Sequence, residues 1–160
     1  MIKGIVIAVL ATTLIGCAST KSTVSRSHNL SPGNKVAITI KERSGGQIPA
    51  DQQAVLVNQI MDGLIQNDML ASSSDSAQYS ATVDIHSFRM RNNAARLTVG
   101  IMAGCDNINS TVSIEDTSSG ARVGSANVAI KECAAWGVAD QVIKKYADGV
   151  VSFIVGKQGK

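Results

Sequence analysis

The sequence predicts an α+β fold: a two-layer sandwich in which two helices cover one face of a mostly antiparallel sheet. Three observations predict it. Apolar and polar residues alternate over five short segments, which marks strands. Two longer segments carry one apolar stripe each at spacings of three and four, which marks amphipathic helices. The order along the chain is strand, helix, four strands, helix (β-α-β-β-β-β-α), and helices with a single stripe want the same sheet face.

The first strand spans Lys35 to Lys41, where Val36, Ile38 and Ile40 alternate with Ala37 and Thr39, and Ser44-Gly45-Gly46 ends it. A helix follows from about Asp51, an N-cap candidate after Pro49. Its stripe is Ala54, Val57, Ile60, Met61, Leu64 and Ile65. The serine-rich run Ser72 to Ser76 is a loop. Next comes Tyr79 to Arg89, with Tyr79, Ala81, Val83 and Ile85 on one face and Thr82, Asp84, His86 and Phe88 on the other. Arg96 to Ala103 is a further strand, loosened by Gly100 and Gly104. Asn107 to Glu115 is the next, turned at Asp116 to Gly120 into Arg122 to Lys131. The closing helix runs from about Ala134 to Val155 on a wide stripe that includes Val138, Val142, Tyr146, Val150 and Phe153. No internal repeat is visible.

The first sixteen residues form a unit of their own. Lys3 supplies a positive charge, an apolar run of about ten residues follows, and Leu14-Ile15-Gly16-Cys17 closes it. A bilayer span needs about 20 apolar residues, so this run is too short to be one. The tetrapeptide resembles the lipobox of bacterial lipoproteins. That resemblance implies cleavage before Cys17, diacylglycerol on its thiol, and a palmitate-type acyl chain on the new amine. Ala18 stands where an Asp would imply retention in the inner membrane, so the expected address is the outer membrane, facing the periplasm. Each buried methylene is worth about 0.8 kcal/mol, so several chains make a stable anchor. The expected organisation is therefore a signal peptide over 1–16, a lipidated flexible tether over 17–33, and a periplasmic domain over 34–160. The tether expectation rests on Ser19, Thr20, Lys21, Ser22, Thr23, Ser25, Arg26, Ser27 and His28, a polar run ending at Ser31-Pro32-Gly33.

Composition removes one class of function. Net charge is +3, basic residues are scattered, and aromatic residues make up 3% of the chain, so stacking platforms for nucleic acid have almost no material. Of three cysteines, Cys17 is assigned to lipid, which leaves Cys105 and Cys133 as an even pair in an oxidising compartment. A disulfide between them should hold Cα atoms about 4.4–6.8 Å apart. On chain entropy it contributes at most about 3.5 kcal/mol. The alternative is two separate buried thiols.

From Val36 onward the chain resembles the bacterial lipoprotein family called domain of unknown function 4410. The resemblance lies in the amphipathic helix after the first strand, in Arg96-Leu97-Thr98-Val99-Gly100 leading to Ala103-Gly104, and in the Asp116 to Gly120 turn into a Val-Gly strand. Cys105, directly after the glycines, departs from the pattern. Membership implies a location and a fold but no activity.

Converging chemistry is sparse. Gly-x-Ser-x-Gly, His-Glu-x-x-His and phosphate-loop motifs are absent, nothing calls for a cofactor or a metal, and only His86 lies in the folded part. Asp84 and His86 share a strand face, so a hydrolase built on them is the alternative to a non-enzymatic, partner-binding or structural role. Gly100 and Gly104 spell Gly-x-x-x-Gly, read as a bulge or turn rather than membrane-helix packing. Trp136 either covers the disulfide or sits at a binding surface. Phe88 and Met90 are apolar residues on a face the helices should leave open. With His86 they form a candidate docking surface for an envelope protein or glycan. The membrane, through Cys17, is the other expected partner, and oligomeric state is not legible.

Overall fold

Five strands pair in the spatial order β1-β5-β4-β3-β2. In chain order the elements are β1 (Ser19–Arg26), β2 (Val36–Glu42), α1 (Ala50–Gln66), β3 (Tyr79–Arg89), β4 (Asp106–Asp116), β5 (Arg122–Glu132) and α2 (Ala139–Ile154). This computed structural model describes residues 19–43, 48–91, 104–133 and 139–157. The expected strand at 96–103, Trp136, Gly100 and Cys17 lie outside the described residues.

Neighbouring strands are antiparallel except β2 and β3, which run parallel. Parallel partners need a long crossover, and α1 supplies it. Both helices bury their stripes on the face carrying Ala81, Val83 and Ile85, joining Leu56, Ile60 and Leu64 to Ile143, Tyr146, Val150 and Ile154 in one core. The α+β expectation holds. The element order differs, because an additional strand precedes β2.

That strand is the segment expected to be a tether. β1 pairs antiparallel with β5 from Ser19↔Lys131 to Arg26↔Ser125. Its alternation, Thr20, Ser22 and Val24 toward the helices, is hard to see because two of the three are polar. Thr20 gains a partner there: its Oγ1 donates to the Lys145 carbonyl at 3.1 Å. α2 comes this close because Gly149 has no side chain; a Cβ there would sit 2.5 Å from the Thr20 methyl. Further on, His28 Nε2 meets the Phe153 carbonyl at 2.7 Å, its ring sits edge-on to Phe153, and Leu30 is buried. The flexible tether over 17–33 is thus corrected across its described part, because sheet pairing and α2 repay the ordering that the sequence alone cannot.

Two smaller corrections concern which way residues face. In α1 the buried line is Leu56, Ile60 and Leu64, while Ala54 is exposed and Ile65 is 58% exposed. The helix also begins one residue before Asp51, capped by Pro49 without a side-chain bond, and Asp51 sits in its first turn. In β3 the register slips between Ile85 and Ser87, so His86 is an extra residue in a bulge. Beyond it the alternation is shifted by one. Phe88 therefore pairs with the fully buried Ile108 and, like Met90, packs against the core.

One polar tie crosses the core. The Tyr146 hydroxyl donates to Ser110 Oγ at 2.5 Å, and Ser110 Oγ donates to the Val128 carbonyl at 3.4 Å. Burial pushes the Tyr146 phenol far above its usual range, opposed by the bond to Ser110. The phenol stays neutral and fixes α2 over β4.

Candidate functional site: the open polar face

The sheet face away from the helices is polar. Antiparallel and parallel register place Lys41, Asp84, Thr111, Asn127 and Thr23 in one row, and Thr39, Thr82, Ser113 and Ser125 in the next. A shallow depression of about 290 Å³ lies between Lys41, Thr82, Asp84, His86, Thr111 and Glu115. Short hydroxyl side chains floor it, because they are the polar residues that suit a pleated surface.

Asp84 and His86 both lie here, but the structure gives them different partners. Asp84 Oδ2 pairs with Arg43 Nη2 at 2.9 Å. His86 Nε2 is 2.8 Å from Thr111 Oγ1. No carboxylate bonds to His86 among the described residues. Asp84 is therefore held as the partner of a cation rather than as the orienting group of an imidazole. Its Oδ1 is buried without a hydrogen-bond partner among the described residues, as is Asn109 Oδ1. Phe88 and Met90, expected here, are drawn to the other side by the bulge. The sequence does not single out Thr111, since a Thr in the middle of a strand looks like any other outward residue.

At one end of this face Cys105 and Cys133 form a disulfide with Cα atoms 4.2 Å apart. The value falls slightly below the expected span because the register pairing Asp106 with Glu132 would next pair these two residues directly across adjacent strands. Beside it Asp106 is fully buried. It accepts from the Arg91 backbone N–H at 2.7 Å and from Arg91 Nη2 at 3.1 Å, and Arg91 Nη2 also reaches the Glu132 carbonyl. Among the described residues no three of His, Cys, Asp or Glu converge on a possible metal position.

The family described as "Domain of unknown function (DUF4410)" matches residues 18–135. The chain belongs to this family. The match begins at the residue before β1, which places that strand inside the family domain. Among curated proteins no sequence matches. Among solved structures the chain is similar to a variant of the PelC dodecamer from Paraburkholderia phytofirmans, in space group C2. There the identity is 20%, the TM-score 0.58, and the alignment covers 89% of this chain and 100% of that one. It is also similar to the PelC dodecamer from the same organism in space group P6, at 18% identity and a TM-score of 0.57, over 90% of this chain and 99% of that one. At these identities the family member and PelC share a fold. Among the described residues no helix is long and apolar enough to cross a membrane.

Proposed function

We propose that this family member is a non-enzymatic envelope lipoprotein, anchored by lipid on Cys17 in the outer membrane and facing the periplasm, and that it works as an assembly of several copies. The observation that carries the assembly is the likeness to PelC, whose whole chain is matched and whose structure is a dodecamer. The lipobox residues Leu14 to Cys17 support the anchor, and Ala18 supports the outer membrane. The separate engagement of Asp84 by Arg43 supports a role without catalysis. The contact between His86 and Thr111 favours the second reading, a periplasmic hydrolase, because a hydroxyl beside an imidazole is the arrangement of an activated nucleophile.

The test is labelling with palmitate followed by native mass measurement of the detergent-extracted protein. Wild type should take up label and run as several copies. Cys17→Ala should take up none and keep its signal peptide. Equal labelling of the variant would overturn the anchor, and a monomeric wild type would overturn the assembly. Turnover of ester or glycoside substrates that disappears in His86→Ala would establish the hydrolase instead.

A further inference from the structure

The sheet ends in β2 on one side and β1 on the other. The start of the β2 edge is occupied within the chain: the Val36 N–H donates to the Met69 carbonyl, and the Ala71 N–H donates to the Val36 carbonyl. This makes a single parallel bridge from Val36 to Leu70 that goes no further. Backbone groups alternate sides along a strand, so Ile38 and Ile40 turn theirs the same way as Val36, away from β3. Among the described residues nothing pairs with them. Beside this edge, between β2 and α1, lies a cleft of about 400 Å³ lined by Ile38, Ile40, Val57, Met61 and Leu70. These side chains are half-buried, so the stripe on α1 is wider than the core it covers. An edge strand with unpaired backbone next to an apolar cleft is a template for another strand.

The matching element is on the chain itself. β2 runs with β3, and three antiparallel steps through β4 and β5 lead to β1, so β1 runs opposite to β2. Rotating a second copy about an axis along the strands keeps its helices on the same side. It also brings its β1 against the first copy's β2 in the antiparallel sense, the more stable pairing. Because α2 packs over β1, through Thr20 against Lys145 and Gly149, the same docking lays α2 of one copy beside α1 of the next and covers Val57 and Met61.

Resting on the multi-copy reading above, we propose that copies join head to tail, β1 of one onto the β2 edge and cleft of the next. The contact is heterologous, so it generates a ring where the rotation closes. The experiment uses the full lipidated chain in detergent with Ile40→Cys and Ser22→Cys, both on the helix side, and a short bifunctional thiol reagent. Expected is a ladder of crosslinked species in the double variant and no crosslinking in either single variant. Dimers from Ile40→Cys alone would overturn the proposal in favour of a two-fold β2–β2 contact. Met61→Glu, half-exposed in the cleft, should lower the assembled fraction at least tenfold with an unchanged circular dichroism spectrum. An assembled wild type that neither crosslinks nor responds to Met61→Glu would sink the interface while leaving the assembly standing. A monomeric wild type would sink both.

Discussion

The β4–β5 hairpin is closed at its two ends by different physics. At the turn, Asp116 Oδ1 accepts from the backbone N–H groups of Ser118 and Ser119 and from the Ser118 hydroxyl, and the Gly120 N–H bonds back to the Asp116 carbonyl. Gly120 takes a φ of 68°, a conformation that costs glycine nothing. The partners of Asp116 here lie within five residues and are exposed to water, while Thr117 reaches further, to the carbonyls of Ala77 and Gln78. At the other end, Cys105 is bonded to Cys133 and the buried Arg91–Asp106 pair joins the end of β3 to the start of β4. Here the partners are far apart in sequence, and two are charges removed from water. A local, solvated turn can be written into a short stretch of chain. A distant end has no such option and needs covalent or charge-assisted closure.

The comparison predicts unequal costs. Asp106→Ala should be the most damaging change, because it leaves the Arg91 guanidinium buried without its carboxylate. The expected loss is about 3–5 kcal/mol, read as a lower midpoint in urea. A loss no larger than that of an exposed charge would break the comparison. Replacing Cys105 and Cys133 together by Ser should cost about 3 kcal/mol. Reductant should lower the melting temperature of the wild type to that of this variant and leave the variant unmoved.

At the turn the effect should be smallest. The Ser118 hydroxyl, then the backbone N–H of Ser119, hold the Asp116 carboxyl below its ordinary value of 3.8. A carboxyl lowered in the folded state stabilises above that ordinary value, and the stabilisation is lost as pH falls through the folded one. The difference in stability between wild type and Asp116→Asn should therefore be largest near neutral pH and shrink in acid. A difference that does not change with pH would remove the charge from the explanation.

The same division decided what could be read from sequence. The Asp116 to Gly120 turn, the bounds of β3 and the stripe of α2 follow from local patterns and appear where expected. β1 did not, because Ser, Thr and Lys serve a tether and an edge strand equally until β5 is beside them. The bulge at His86 does leave a trace in the sequence, since His86 and Ser87 are two polar residues in succession and the apolar positions change parity from Ile85 to Phe88; the one extra residue moves Phe88 and Met90 off the candidate site. Arg91 and Asp106 are 15 residues apart, a separation at which no local spacing rule marks two residues as partners. In α1 the stripe was found but turned too far toward Ala54 and Ile65, because a helix that lines both a core and a cleft carries more apolar width than the core needs.

The early start of β1 has a consequence for how the molecule would sit on a membrane. Ser19 is already in the sheet, and it follows Cys17 by only two positions, with Ala18 between them. Extended chain covers about 7 Å over that distance. With lipid on Cys17, the domain would have no leash on which to swing, and the β1 end of the sheet would rest against the headgroups. In a head-to-tail ring built about an axis along the strands, every copy would point that end the same way. All acyl chains would then emerge from one rim, and their holds would multiply: once one is inserted, the others face the bilayer at high effective concentration.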